Sequence, residues 1–459
     1  MDDLFDCEPP KDGQENASKT NINADMPPSN RKKRRALTAV FAVGLALIFF
    51  ALGGLTVWFS LDKELRMLMK IKTALQKHYY QEIDDDTFYD TLFQAVNHDL
   101  LDAYSQYMTA DEYRTSKDEM AGKRIGVGIV FSTRNEKNEE QMLVTRVSGN
   151  SPAEAAGIKP GDYLTAFGKT QSEMTYSEKF DDFSKFLSGL KEGEEFVASV
   201  RTGSENRTVT MSRQAYVENY LFYRTSTSAY VFSGKSADEL TQQDNPLTCL
   251  NEDMAYIRLV QFAGEVSKRF EELMKLFKEQ GKKNLVLDLR ENGGGYLDIM
   301  RDLAKYFCKN ATDKKPLAAI ADYGEQKEYF YATGNVYHDY FSDDSRIYVL
   351  ADSGTASASE CLIGCMVDYG ATAFSDICLI ERGGVAKTYG KGIMQTTYYL
   401  GAQGDAIKLT TAQIHWPVSK RSIHGRGILP EDGAKTVKGS LYGDAEIAAA
   451  IAKLTGKNV

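Results

Sequence analysis

The chain has 459 residues, 42% of them hydrophobic and 26% charged, an ordinary globular composition with room for several domains and at least one sizeable core. Its net charge of −9 and pI of about 5.4 argue against nucleic acid as the main partner, because phosphate binding wants clustered Lys and Arg.

Residues 1–35 are rich in Asp, Asn, Ser, Pro and Lys and read as a disordered tail. The tail ends in the only dense basic run, Arg31 to Arg35, and residues 36–61 then carry no charge at all. At about 1.5 Å per helical residue this stretch crosses a hydrocarbon layer of roughly 30 Å. A cleavable signal peptide would have an apolar region of about 7–15 residues behind a short basic start. The longer stretch and the long polar leader favour an uncleaved anchor over that and over a nuclear-localisation signal. Basic residues stay on the cytoplasmic side. The expectation is therefore a single-pass cell-membrane protein, with residues 1–35 inside and everything after Asp62 extracytoplasmic.

Residues 62–121 read as a small helical region, with apolar stripes at Leu65, Leu68, Met69 and Ile71 and at Leu92, Val96, Leu100 and Leu101. Residues 122–214 change to a β-rich pattern. Ile125-Gly126-Val127-Gly128-Ile129-Val130-Phe131 is a glycine-containing strand entry, and Met142-Leu143-Val144 is a strand. Ser151-Pro152 opens a short helix that Gly157 stops, followed by a turn at Pro160-Gly161-Asp162. Phe183, Phe186, Leu187 and Leu190 mark a helical face, and residues 196–200 a closing strand. Residues 215–252 are polar and read as a linker or insertion. From 253 to 433 strands alternate with helices: strands at 256–260, 285–287 and 347–350, and a helix faced by Val266, Phe270, Leu273 and Phe277. That alternation predicts a largely parallel α/β sheet, whose ligands bind beyond the carboxyl ends of the strands. Residues 434–459 read as a C-terminal helical segment.

Six cysteines form no CxxC pair, and the five histidines form no HExxH or similar cluster, so no metal site is expected. Chemistry is suggested instead by three segments. Ser357 starts a helix, and Glu360 three residues later suits a capping box. A nucleophile there would have free backbone N–H groups beside it for an oxyanion, although a serine at this place is often only a cap. A serine needs a base, and Lys391, between two glycines, is a candidate. Gln395, four residues on, shares a face with it. Burial would lower a lysine from its ordinary pKa of about 10.4; the alternative is a solvated lysine in a surface hairpin. The run Gly293-Gly294-Gly295 could expose a further N–H at a strand-to-helix turn. No Gly-Lys-Ser/Thr follows it, so a phosphate loop is disfavoured.

In their joint order these segments resemble the C-terminal processing peptidases, or tail-specific proteases. The order is a helical region, a PDZ domain, Asp288-Leu289-Arg290-Glu291-Asn292-Gly293-Gly294, Ser357-Ala358-Ser359-Glu360 and Gly390-Lys391-Gly392-Ile393-Met394-Gln395. Leu409-Thr410-Thr411-Ala412 and Gly425 to Pro430 resemble later segments of that family, and Thr355 departs from it where a serine is usual. The resemblance spans about residues 62–433. It implies Ser357 as nucleophile, Lys391 as general base and Gln395 as its orienting partner. The oxyanion donors would be Ala358 N–H and that of Gly294 or Gly295. It implies that Ile125, Gly126, Val127 and Gly128 form the PDZ loop that receives a substrate's C-terminal carboxylate. The implied chemistry is peptide hydrolysis through an acyl-enzyme without a cofactor, on a crotonase-like α/β protease domain. The implied partners are proteins or peptides with free C-terminal tails, the membrane through residues 36–61, and a second copy paired through 62–121 or a regulatory partner. Three rival readings are a scaffold that binds tails without cutting them, a purely structural membrane-tethered binding protein, and a Ser–His–Asp hydrolase using His415 or His424. Thr355 and Ser359 stand where a Gly-x-Ser-x-Gly elbow would have glycines, which disfavours the last.

Overall fold

The structure is a computed structural model that describes residues 28–134, 137–232, 240–402, 404–440 and 443–456, with side chains from Arg34 onward. Residues 1–27, which hold most of the expected tail and Cys7, lie outside the described residues. The chain divides into two compact units, residues 1–94 and 95–459.

In the first unit a continuous helix, Pro28–Ser60, contains the apolar stretch. Its segment Arg34–Ser60 is long and apolar enough to cross a membrane, with a mean hydropathy of 2.5 and no part buried by protein. The following helix, Lys63–His78, keeps Leu65, Met69 and Ile71 exposed.

The second unit holds three sheets that matter here. Residues 123–217 form a six-stranded antiparallel sheet and a two-stranded ladder, Lys123–Gly126 with Gln214–Val217. The Ile129–Arg134 strand lies at one end of the larger sheet, and its Phe131 packs on Phe180 and Phe183 of the Phe180–Ser188 helix. Ser151 caps the short Pro152–Ala155 helix by accepting from Glu154 N–H at 3.2 Å, as a serine before proline should.

An eight-stranded sheet forms the main core. Five of its strands run parallel: Met254–Leu259, Asn284–Asp288, Ile347–Asp352, Ile377–Glu381 and Lys435–Lys438. Asn284–Asp288, Ile347–Asp352 and Ile377–Glu381 read as near-continuous apolar runs because both faces are covered. Leu285, Leu287, Val349 and Leu379 meet the helices Val266–Glu279, Leu297–Ala304 and Ala358–Asp368 on one face. Val286, Leu350, Cys378 and Ile380 meet Ile447, Ile451 and Leu454 of the Asp444–Thr455 helix on the other. Two expectations need correction. Within 215–252, read as a linker or insertion, the strands Leu221–Arg224, Ala229–Phe232 and Leu240–Gln243 extend this sheet as an antiparallel wing. Leu221–Arg224 pairs with Met254–Leu259, and the other two strands add outward from it in turn, a partnership no local pattern records. The segment 434–459 is not helical alone, since the Lys435–Lys438 strand closes the sheet before the last helix.

A second sheet pairs Gln106–Met108, Asp405–His415, Leu317–Asp322 and Lys327–Tyr331, with Ile393–Leu400 joined to Asp405–His415. Segments almost 300 residues apart thus share one ladder, and the lysine motif sits at its start.

Candidate active site

The serine turn is built by buried polar groups beyond the Ile347–Asp352 strand. Thr355 Oγ1 donates to the Leu289 carbonyl at 2.7 Å, and Asp352 Oδ1 accepts from Gly354 N–H and Glu291 N–H at 3.0 and 2.8 Å. Thr355 supplies the hydroxyl that a serine would, with a methyl to fill its fully buried place. The Asn292 carbonyl accepts from Ala356 N–H and from Ser359 Oγ, both at 2.9 Å, which ties the glycine run to the serine turn.

Ser357 itself has φ 58° and ψ −116°, a sparsely populated conformation that costs of order 1–3 kcal/mol for a residue other than glycine. Such a turn between a strand and a helix projects the side chain outward. Nothing in the sequence announces the strain, because the glycines that usually flank such elbows are absent. The Ala358–Asp368 helix follows at once, and Ser357 N–H donates to Glu360 Oε2 at 3.0 Å.

The glycine run approaches from the side. A Cβ built on Gly294 would stand 2.8 Å from Ser357 Cβ, and Gly294 has φ +99°, so only glycine fits. Gly294 N–H is already engaged, donating to Asn292 Oδ1 at 2.9 Å. Among the described residues no acceptor takes the N–H of Gly295 or that of Ala358. Of the two glycines left open by the sequence, Gly295 is therefore the one with a donor to offer.

Glu360 has a larger part than a helix cap. Its buried carboxylate also accepts from Thr388 Oγ1, from Gly390 N–H at 2.8 Å and from Lys391 N–H at 2.9 Å. One side chain thus fixes the lysine loop to the serine turn. Burial pushes the Glu360 carboxyl above its usual range, against the opposing pull of these donors.

Lys391 is half-buried, and its Nζ donates to Gln395 Oε1 at 3.1 Å. Burial lowers its pKa, Lys408 lowers it further, and Asp102 opposes them. Gln395 Nε2 in turn donates to the Tyr104 carbonyl at 2.7 Å. Tyr104 lies 291 positions before Gln395, so no spacing rule could have found it.

Ser357, Ala358, Gly295, Lys391 and Gln395 line one cavity of about 160 Å³. No direct hydrogen bond joins Ser357 Oγ to Lys391 Nζ among the described residues; catalytic contacts often tighten only around substrate. The rest of the wall is mostly apolar, including Leu297, Ile393, Ile414, Trp416 and Ile423. Residues 125–128 stand apart from this cavity, in the β-rich module. His415 and His424 are not among the cavity's lining residues. His415 Nδ1 lies 3.0 Å from the Lys420 carbonyl.

Trp416 reaches the cavity by lying on the serine helix at Gly364. A Cβ there would stand 2.3 Å from the indole Cδ1 and Nε1. Gly364→Ala is therefore expected to displace the indole and to destabilise the fold by about 1–3 kcal/mol, the usual range for overpacking. Chemical denaturation of the variant beside the parent checks this.

Residues 253–432 match the profile of peptidase family S41. A probable CtpA-like serine protease of Staphylococcus epidermidis is 26% identical over 383 residues, covering 83% of this chain and 68% of its own length. A protein of the same description from Staphylococcus haemolyticus is 27% identical over 372 residues, with coverages of 80% and 64%. The chain thus spans about two thirds of the length of these relatives. Among solved structures, a putative S41 protease from Bacteroides fragilis superposes with a TM-score of 0.50 at 16% identity, covering 82% of this chain and 91% of that one. That likeness is one of fold, and it agrees with the motif order read from the sequence. Residues 253–432 are thus similar to peptidase family S41, and the relatives agree with the C-terminal processing peptidases that the motif order resembles.

Proposed function

We propose that the chain is a membrane-anchored serine endopeptidase that takes hold of substrate C-terminal tails and hydrolyses peptide bonds with a Ser–Lys pair. The observation that carries this reading is the sharing of one cavity by Ser357, on its strained turn, and by a lysine whose burial favours the neutral amine. Lys391 Nζ takes the Ser357 hydroxyl proton as Oγ bonds to the scissile carbonyl carbon. The oxyanion is received by the open N–H groups of Ala358 and Gly295. The C–N bond then breaks, the leaving amine takes the proton from Lys391, and water releases the acyl group by the same path. Gln395 holds the amine in place throughout.

The tail site is assigned to the PDZ-like module, residues 122–214. An end strand, Ile129–Arg134, beside an apolar helix supports it, since an extended peptide can add to such an edge. The preceding loop, Ile125, Gly126, Val127 and Gly128, would hold the terminal carboxylate. The 27-residue segment Arg34–Ser60 is about 40 Å long as a helix, enough to span a bilayer and hold the later residues on its outer side. The exposed stripe of Leu65, Met69 and Ile71 supports pairing with a second copy or a regulatory partner.

The test uses the full chain in detergent micelles and an unstructured reporter protein ending in apolar residues. Its partner is the same reporter with an amidated C-terminus. Cleavage of the first, with at least ~10-fold slower cleavage of the second, is expected if the terminal carboxylate is captured. Tight binding of the free tail with no cleavage would turn the reading into that of a scaffold.

A further inference from the structure

The turn at residues 102–105 lies outside the family-matched domain, yet it touches both side chains that flank the amine chemistry. We infer that this turn is the positioning element of the Ser–Lys site: the Tyr104 carbonyl sets the orientation of Gln395, and the Tyr104 ring covers the Lys391 amine. The inference rests on Lys391 being the base.

The orientation follows from donor and acceptor chemistry. A backbone carbonyl can only accept, so the Gln395 amide must present its NH₂ to Tyr104, at 2.7 Å. Its oxygen is thereby left facing Lys391 Nζ, at 3.1 Å. A neutral amine that donates one N–H to that oxygen has its lone pair directed elsewhere, which is what a base toward Ser357 requires. Were the amide reversed, its oxygen would face the Tyr104 carbonyl oxygen, and its NH₂ would donate to the amine lone pair that the base needs free.

The turn is rigid enough for this task. Asp102 Oδ1 accepts from the N–H groups of Tyr104 and Ser105 at 2.9 and 2.7 Å. Ser105 Oγ accepts from Thr410 N–H at 2.9 Å, and Asn97 brackets Tyr107 with bonds of 2.7 and 3.1 Å. The Gln106–Met108 strand then pairs with Asp405–His415, the neighbour of the strand that carries Gln395. The turn and Gln395 are therefore held by one sheet.

The ring acts in two opposed ways. Lys391 Nζ lies 5.1 Å from its centroid; a π face favours the ammonium, whereas exclusion of water disfavours it. Burial by all the groups around it is the leading influence on Lys391 and lowers its pKa; the inference assigns the ring a share of that burial larger than its π attraction. The other groups around the amine are Lys408 from the Asp405–His415 strand, which also opposes the charge, and Asp102, which favours it. The Glu360 carboxylate is engaged by the Lys391 backbone N–H, and Tyr389 from the lysine loop faces Tyr104.

The experiment follows kcat/KM against pH for the full chain in detergent, with an internally quenched peptide as substrate. Ser357→Ala comes first; cleavage that survives it overturns the reading of the site and this inference together. With that established, Tyr104→Ala is expected to move the rising limb to higher pH, with roughly tenfold loss at neutral pH for each unit of movement and recovery under alkaline conditions. Tyr104→Phe keeps the ring and should hold the limb where the parent has it. Ser105→Ala removes the acceptor of Thr410 N–H and gives a smaller movement in the same direction, which covers the case of a Tyr104→Ala chain that fails to fold. A limb that stays in place in every folded variant, or moves to lower pH on loss of the ring, overturns the inference.

Discussion

Ser357→Ala and Lys391→Met are each expected to reduce peptide cleavage by at least ~10³-fold, with the double variant no worse than either. In the proposed mechanism the two groups act as one unit: without Lys391 the Ser357 proton has no acceptor, and without Ser357 the amine has nothing to activate. Lys391→Arg fails equally, because a guanidinium stays protonated in any protein environment. In the proposed mechanism the active form is the neutral amine, so the parent's cleavage is expected to rise with pH. Burial lowers the Lys391 pKa below the ordinary lysine value of about 10.4, which places that rise below the range of a free lysine. The same shift costs stability: between the folded and the unfolded pKa the unfolded chain binds more protons, so stability too rises with pH through that window and the buried amine costs stability at neutral pH. Lys391→Met therefore loses activity without losing thermal stability. A collapse of both together would mean that Lys391 is a structural residue. Single-turnover cleavage and a melting curve on the same preparations separate the two cases.

Arg290→Met destabilises the fold by roughly 3–5 kcal/mol, a fall in Tm on the order of 10 °C, because it strands the buried Asp288 carboxylate and leaves Glu446 to Arg382 alone. Arg290 and Asp288 are fully buried. The guanidinium bonds Asp288 through Nε at 2.9 Å and through Nη2, and reaches Glu446 of the last helix through Nη1. Tyr256 donates to the same Asp288 carboxylate, and Arg382 holds the outer side of Glu446. The ion pairs join the strand before the glycine run to the helix that covers the far face of the sheet. Asp288→Asn combined with Arg290→Met removes one stranded charge and should recover part of the loss. The pH window follows from the same contacts. Asp288 is held down to about 2, with burial opposed by the attraction of Arg290, against about 3.9 for an unfolded aspartate. Its contribution is complete above about pH 4 and is lost as the pH falls toward 2. Denaturant midpoints of parent and Arg290→Met across that window should converge in acid.

The sheet strands at 256–260, 285–287 and 347–350 were legible because strands covered on both faces carry unbroken apolar runs. The wing at 221–243 was not, since its strands exist by pairing with a neighbour and alternate too weakly to announce themselves. Ser357, Lys391 and Gln395 could be singled out because each chemistry requires a residue type at a short spacing. Glu360 was visible only as a cap. Its bonds to Thr388, Gly390 and Lys391 cross about 30 positions, beyond the reach of any local pattern.

Local chain chemistry alone determined the apolar helix, the alternation that makes a parallel sheet, the glycine run and the family resemblance. Each motif among these depends on residues within a turn or two of one another, and the resemblance on their order along the chain. Tertiary structure decided the rest: the left-handed strain at Ser357, the choice of Gly295 over Gly294 as the open donor, the carboxylate that joins serine to lysine, and the turn at Tyr104 that completes the site. Each of these depends on which buried polar group finds a partner, and burial and partnership exist only once distant segments have met.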